Sequence, residues 1–140
     1  MMIDIGPSLM PFQHAHLNDF VPNEYAKGME TLTSLDNPEC HKWTVMAPNN
    51  KPLAFIFYRE TKPGEFGAFF TISKDFNTKH CAALRNFVKM LITQHDAQEV
   101  WTASRQDPAL ERWHRFMGLE KDGTMEILGE TYDVWRMIWE

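Results

Sequence analysis

The sequence predicts one small α/β domain in which a β-meander is followed by alternating helices and strands. Three observations lead to this prediction: a length of 140 residues, a hydrophobic share of 44%, and apolar runs whose spacing changes from strand-like to helical along the chain. A chain of this length can bury about two-thirds of the surface that its unfolded form exposes. We therefore expect residues 1–140 to form a single domain around one core.

The N-terminal part contains an irregular segment and then two clear strands. A proline and a glycine interrupt the segment Pro11–Leu35, which we interpret as one or two irregular helices. Strand-forming residues then run from His41 to Ala47 and from Leu53 to Tyr58. Turn-forming residues lie between these two runs, so we expect a β-hairpin.

A third strand and the clearest helix follow. Gly67–Ile72 is a continuous apolar run of strand length that comes after a turn at Lys62–Glu65. Beyond it, apolar residues recur three and four positions apart between Leu84 and Ile92, with charged residues among them. This spacing predicts an amphipathic helix.

The C-terminal part alternates strand, helix and hairpin. Glu99–Ala103 has the composition of a strand, and Asp107–Pro108 predicts a helix start, because Asp is a favoured N-cap and Pro a favoured first helical residue. Gly118 predicts the end of that helix. Two strands around Met125–Leu128 and Tyr132–Trp139 then form a hairpin, so the predicted order is helices, βββ, α, β, α, ββ.

Charge and cysteine content narrow the possible partners and compartments. A formal net charge of -5 argues against nucleic-acid binding through a basic surface. Cys40 and Cys81 are the only cysteines, and they show neither a metal-ligand spacing nor a disulfide framework. No apolar run is long enough to cross a membrane and no signal-peptide pattern begins the chain, so we expect a soluble cytoplasmic protein.

The late helix carries a recognisable motif. Residues 107–119 have the sequence Asp-Pro-Ala-Leu-Glu-Arg-Trp-His-Arg-Phe-Met-Gly-Leu. This segment, together with the order of elements along the whole chain, resembles the GNAT (N-acetyltransferase) superfamily, whose late helix usually has Asn-Pro, an aromatic-Tyr pair and Gly-Phe at this spacing. Asp107 stands at the position of the usual Asn, His114 at that of the Tyr, and Leu119 at that of the Phe.

A second segment resembles the coenzyme loop of the same superfamily. Ile72–Ala82 is similar to the family's strand end followed by Gln/Arg-x-x-Gly-x-Gly/Ala, with Asn77 in place of Gln/Arg and His80 in place of the first Gly. A register shifted by one residue fits the apolar spacing of the helix better, and both registers stay open. The resemblance implies that a helix begins here with free backbone N–H groups for the pyrophosphate of coenzyme A. A side chain at His80 could obstruct that approach.

The resemblance also implies the architecture and the site. It predicts a mixed sheet of six to seven strands with helices on both faces and an acyl-CoA, such as acetyl-CoA, as cosubstrate. The coenzyme is expected in a gap between the strand that ends near Ile72 and the strand Val100–Ala103. His114 stands where the family protonates the departing thiolate, which an imidazole with its ordinary pKa of about 6.5 could do. The residues expected to bind the coenzyme are Phe70, Thr71, Ile72, Asn77, Thr78, Lys79, His80, Cys81 and Ala82.

These site residues also have purely structural interpretations. An apolar strand needs no ligand to explain it, and His114 could simply pack beside Trp113 and Phe116. Cys81, at the start of a helix, could be an activated thiol, although a buried helical cysteine is the safer interpretation.

No general base or metal site stands out. Glu65 and Glu99 are the nearest candidates for a base, but solvation at a turn and at a strand edge explains them better. His14, His16 and Asp19 could form a metal or acid–base cluster, yet an N-terminal surface explains them better, so no metal is expected.

Two functions therefore remain open. The first is acyl-CoA-dependent N-acylation of an amine by direct attack, with His114 as the acid. The second follows from a resemblance to small bacteriophage-encoded GNAT-like proteins: a catalytically degenerate protein that binds a host or virion protein, located in the host cytoplasm or the virion. Trp135 and Trp139 share one face of the last strand and suit core packing or a homodimer contact equally well. The acceptor amine cannot be predicted, because variable loops build acceptor sites.

Overall fold

Within residues 6–20 and 39–138, which the computed structural model describes, the chain forms seven strands and two α-helices. Short 3-10 helices cover His14–Asp19 and Thr78–His80. The helices are α1 (Cys81–Thr93) and α2 (Pro108–Phe116). The strands are, in chain order, β1 (Ser8–Pro11), β2 (His41–Met46), β3 (Pro52–Lys62), β4 (Glu65–Ile72), β5 (Glu99–Arg105), β6 (Glu120–Ile127) and β7 (Glu130–Ile138).

The strands form one mixed sheet in the order β1-β2-β3-β4-β5-β7-β6. Neighbours β1 and β2, β2 and β3, β5 and β7, and β6 and β7 are antiparallel, whereas β4 and β5 are parallel. Parallel neighbours need a crossover connection, which α1 provides between β4 and β5. The predicted fold class, an α/β (α+β) arrangement with a mixed sheet of six to seven strands, is confirmed.

The chain divides into two compact units, each of which is described by itself. Unit 1 comprises Met1–Tyr58 and Phe70–Leu91, and unit 2 comprises Arg59–Phe69 and Ile92–Glu140. The expectation that residues 1–140 form a single domain stays a prediction.

Unit 1 holds the predicted hairpin, the end of β4 and most of α1. On the hairpin, Phe55 and Phe57 are buried and pack against the partly buried Phe12 and Phe20. The predicted amphipathic helix is confirmed, since the buried residues that it contributes to this unit, Leu84, Val88 and Leu91, are spaced three or four apart.

Unit 2 holds α2 and the C-terminal hairpin. The Asp107 carboxylate accepts a hydrogen bond from the Ala109 N–H at 2.8 Å, so the predicted N-cap is confirmed. The helix is followed by Gly118 with a φ of 91°, a conformation that disfavours side chains. Trp135 in β7 is fully buried, so of its two predicted roles the structure supports core packing. Trp139 lies outside the described residues.

Several element boundaries differ from the prediction. Strand β1 was not predicted, and of the segment Pro11–Leu35 the structure describes the 3-10 helix His14–Asp19, while residues 21–38 lie outside the description. Strand β6 begins at Glu120 rather than near Met125. Its first residues are charged or glycine, and pairing with β7 across an irregular register holds them in the sheet despite low strand propensity. None of the helices within the described part of the chain is long and apolar enough to cross a membrane.

Candidate functional site

The parallel ladder between β4 and β5 is short and tightly packed. It pairs Glu65 with Glu99 and ends at the pair Gly67 and Trp101, although β4 continues to Ile72 and β5 to Arg105. A Cβ atom at Gly67 would lie 3.2 Å from the Trp101 ring, so a larger residue here would require the indole to shift slightly away from the strand. The indole N–H also donates to Thr61 Oγ1 at 3.2 Å, which holds the ring over the end of the ladder.

A single arginine binds both carboxylates at the start of this ladder. Arg136 donates to Glu99 at 2.7 Å, to Glu65 at 3.2 Å and to Asp122 at 2.8 Å. The hydrogen bond from the Thr61 hydroxyl and the nearby positive charge lower the pKa of Glu65 below its ordinary value. A carboxylate that is held ionised in this way accepts a proton poorly, so the geometry favours a structural role for Glu65 over that of a general base.

The end of β4 carries the first three predicted coenzyme-binding residues. Phe70 and Ile72 are half-buried, whereas Thr71 is buried and its Oγ1 has no hydrogen-bond partner among the residues that the structure describes. Immediately after the strand, the Ser73 N–H donates to the Leu53 carbonyl at 2.8 Å. Strand β4 thus ends on a well-defined backbone bond but contains an unsatisfied hydroxyl.

The predicted coenzyme loop begins a helix, but its N–H groups are not free. The Asn77 side chain accepts the Lys79 N–H at 3.1 Å, and the His80 ring accepts the Asn77 N–H at 3.2 Å, which together make a reciprocal capping box. The N–H groups of His80 and Cys81 donate to the Asn77 and Thr78 carbonyls. The expected helix start is therefore confirmed. The expectation of free N–H groups is wrong at these positions, because side chains and carbonyls of the loop itself accept their hydrogen bonds.

The side chains of this loop differ in exposure. Asn77, Thr78, Lys79 and Ala82 are exposed, whereas His80 and Cys81 are half-buried. The His80 ring lies against Phe76 with ring centres 5.5 Å apart, and burial together with the charge of Lys79 lowers its pKa.

Cys81 does not have the character of an activated thiol. Burial raises the pKa of Cys81, and its Sγ lies 3.9 Å from the Asn77 carbonyl. The thiol form therefore predominates, which disfavours nucleophilic chemistry at this residue.

His114, the candidate acid, is buried in unit 2 and stacks on Trp135. Only 4% of the residue is exposed, and the two rings lie 5.1 Å apart at an angle of 11°. Nδ1 lies 2.6 Å from the Leu110 carbonyl, which can only accept, so the Nδ1 atom carries a proton. Burial lowers the pKa of His114, and the Leu110 bond and the charge of Asp133 oppose this effect in part. In its neutral form, the ring therefore presents Nε2 as an acceptor.

Sequence reasoning missed a buried polar group near this histidine. Asp133 is 4% exposed and binds Gln106 at 3.2 Å and Lys121 at 3.5 Å. The buried indole N–H of Trp135 donates to Ser104 at 3.1 Å. The alternation of side chains along β7 could have found Asp133, because it places Asp133 on the same face as Trp135.

The predicted cluster of His14, His16 and Asp19 is described only in part. His16 Nδ1 lies 2.8 Å from the Thr44 hydroxyl, and the side chains of His14 and Asp19 lie outside the description. Within residues 6–20 and 39–138, no group of three or more His, Cys, Asp or Glu residues could hold a metal ion. The predicted site residues thus fall into two sets: the coenzyme-binding candidates belong to unit 1 and His114 to unit 2.

Comparison with solved structures identifies the fold. A chimera of the spermidine N-acetyltransferase SpeG from Vibrio cholerae and hSSAT matches with a TM-score of 0.74 at 9% identity, covering 96% of each chain. The aminoglycoside acetyltransferase AAC(6')-Ib in complex with coenzyme A matches with a TM-score of 0.71 at 14% identity, covering 95% of each chain. Its complex with paromomycin and acetyl-CoA matches with a TM-score of 0.73 at 14% identity, covering 96% of this chain and 94% of that one.

These matches show that the chain has the GNAT fold over nearly its whole length. No protein-family model and no curated protein sequence matches it. At identities this low, the structural likeness establishes the fold, while the chemistry has to be argued from the residues.

Proposed function

We propose that the chain is an acyl-CoA-dependent N-acyltransferase that works in the cytoplasm. The observation that carries the proposal is the GNAT fold itself, with β4 and β5 as parallel neighbours that are paired only over their first residues. The neighbours with this fold are acetyltransferases, and one is a complex with acetyl-CoA. The acceptor is an amine of unassigned structure.

In this proposal, unit 1 binds the cosubstrate through the end of β4 and the loop 77–82. The unsatisfied Thr71 hydroxyl fits a ligand at β4, because a buried polar group without a partner is unfavourable until something bonds to it. The capped loop fits less well as it stands, since the pyrophosphate has to displace the bond between His80 and Asn77. The amine nitrogen attacks the thioester carbonyl, the carbon–sulfur bond breaks, and the thiolate takes up a proton while the amine loses one.

His114 is the candidate donor of that proton. Its Nδ1 proton is donated to Leu110, so proton transfer from Nε2 requires the imidazolium, which burial disfavours. If the ring does act as the acid, His114→Phe lowers kcat by roughly a hundredfold and leaves coenzyme affinity unchanged, since the proton moves only as the thiolate departs. Equal turnover of the two proteins would remove His114 from the mechanism.

A second candidate is a GNAT-fold protein without catalysis, such as a bacteriophage protein that binds a host or virion protein. The capped coenzyme loop and the stacked, buried His114 favour it.

Isothermal titration with acetyl-CoA and desulfo-CoA separates the two candidates. Saturable binding of both ligands supports the acyltransferase. Absence of binding at millimolar ligand, for a protein that unfolds cooperatively, contradicts it and supports the second candidate.

A further inference from the structure

The hydrogen bond that closes the loop 77–82 depends on the protonation state of His80. A backbone N–H can only donate, so the 3.2 Å bond from the Asn77 N–H requires an Nδ1 atom without a proton. An imidazolium has protons on both nitrogens and cannot accept this bond. Protonation of His80 therefore removes one half of the capping box and leaves the other half, the bond from the Lys79 N–H to the Asn77 side chain.

The surroundings of the ring favour its neutral form in the free protein. Burial lowers the pKa of His80, and the positive charge of Lys79 lowers it further. The ring of Phe76, which lies against His80, is uncharged, and the thiol of Cys81 stays neutral because burial raises its pKa. Of the charged groups within residues 6–20 and 39–138, Lys79 is the one that acts on the ring. The loop is therefore closed by its cap at neutral pH.

We propose that binding of the acyl-CoA pyrophosphate is coupled to protonation of His80, which opens the capping box, an inference that rests on the proposed acyltransferase function. The negative charge of a bound pyrophosphate stabilises an imidazolium and offsets the charge of Lys79. The protonated ring then donates to a phosphate oxygen, and the Asn77 N–H is released to donate as well. Glycine, which the GNAT superfamily usually has at this position, binds no proton, so this coupling depends on the histidine of this chain.

The coupling fixes the direction of the pH dependence. The pyrophosphate raises the pKa of His80 in the complex above its lowered value in the free protein, so binding takes up part of a proton. Affinity therefore rises as the pH falls through the pKa of the complex, and it levels off below the pKa of the free protein. In that range the proton has already removed the cap, and the loss of one such hydrogen bond corresponds to about a fivefold gain in affinity.

The test compares the wild type with two glutamine variants by isothermal titration with desulfo-CoA from pH 8 to pH 5.5. In His80→Gln, the side-chain carbonyl can accept the Asn77 N–H as the ring does, but it does not titrate. His16→Gln is the matched control, because His16 Nδ1 accepts the Gln13 N–H at 3.1 Å in a second capping box outside the coenzyme loop. Titrations at pH 6 in two buffers of different ionisation enthalpy measure the protons that binding takes up.

We expect His80→Gln alone to lose the pH dependence that belongs to the loop. The ratio of the wild-type affinity to that of His80→Gln should rise about fivefold between pH 8 and pH 5.5. At pH 6 the wild type should take up roughly half a proton more per ligand than His80→Gln does. His16→Gln should follow the wild type in both measurements. Protonation of the phosphates of the ligand is common to the three proteins and cancels in the comparison.

The contrary outcomes separate the inference from the proposed function. If the wild type binds desulfo-CoA but its affinity ratio to His80→Gln stays constant and proton uptake is equal, the inference is overturned and the proposed function stands. An equal loss of pH dependence in His16→Gln would overturn the inference too, because the effect would not belong to the coenzyme loop. Failure of the wild type to bind desulfo-CoA at any pH would refute the proposed function, and the inference with it.

Discussion

Replacing His114 by Phe tests how the hydrogen bond and the burial of this ring affect the free energy of unfolding. At pH 8 both rings are neutral, and phenylalanine can keep the stacking on Trp135. The variant loses the 2.6 Å hydrogen bond from Nδ1 to the Leu110 carbonyl. A hydrogen bond of this kind contributes about 1 kcal/mol, so the free energy of unfolding should fall by that amount.

The difference in stability between the two proteins should become smaller as the pH falls. Burial lowers the pKa of His114 in the folded state, whereas the unfolded chain keeps the ordinary value of about 6.5. Above that pH, neither state is protonated. Below it, the unfolded wild type binds a proton that the folded state does not, so wild-type stability falls by up to about 1.4 kcal/mol per pH unit until the pH reaches the folded-state pKa. Phenylalanine does not titrate, so the stability advantage of the wild type over the variant should shrink as the pH falls below about 6.5.

Urea denaturation followed by far-ultraviolet circular dichroism, from pH 8 to pH 5, measures this difference. Circular dichroism is preferable to fluorescence because the substitution touches Trp135. The other histidines are common to both proteins and cancel in the comparison. Stability curves that stay parallel over the whole range would show that His114 titrates alike in the folded and unfolded states, which would refute the burial argument.

Three further predictions concern the coenzyme loop, a helix cap and the arginine. His80→Gly should tighten coenzyme A binding about fivefold, because it removes a cap worth about 1 kcal/mol that the pyrophosphate must displace. His80→Gln should keep the cap and therefore the affinity of the wild type, and titration calorimetry measures the affinity of both variants. Asp107→Ala should cost about 1 kcal/mol in urea denaturation and Asp107→Asn much less, since Asn also caps, so equal losses would contradict the capping role. Arg136→Met should cost about 1 kcal/mol at pH 7, and the cost should become smaller once the pH falls through the lowered pKa of Glu65, because protonation then removes a charge that Arg136 binds. Glu111→Gln, which breaks an exposed ion pair, should change stability by under about 0.5 kcal/mol in the same assay.

Much of the architecture could be predicted from local pattern. The hairpin of β2 and β3, the amphipathic α1 and the capped start of α2 each depend on residues close together in the chain, so spacing and capping chemistry identify them. Strand β1 and the first half of β6 could not be predicted in the same way. Their residues have low strand propensity. Pairing with β2, which lies far along the chain, holds β1 in the sheet, and pairing with β7, which follows a turn, holds β6.

For the candidate site, too, the sequence predicted some properties and tertiary contacts decided the others. The sequence by itself determined which chemistries were available: a histidine in place of a tyrosine on α2, and a histidine in place of a glycine before α1. The tertiary structure decided the states of these side chains, because a pKa and a hydrogen bond depend on neighbours brought in by folding. Trp135 buries His114, and the charge of Asp133 acts on it across more than a dozen residues of sequence. The unsatisfied Thr71 hydroxyl is a property of the packed unit alone, since no sequence pattern distinguishes a threonine that finds a partner, such as Thr44, from one that does not.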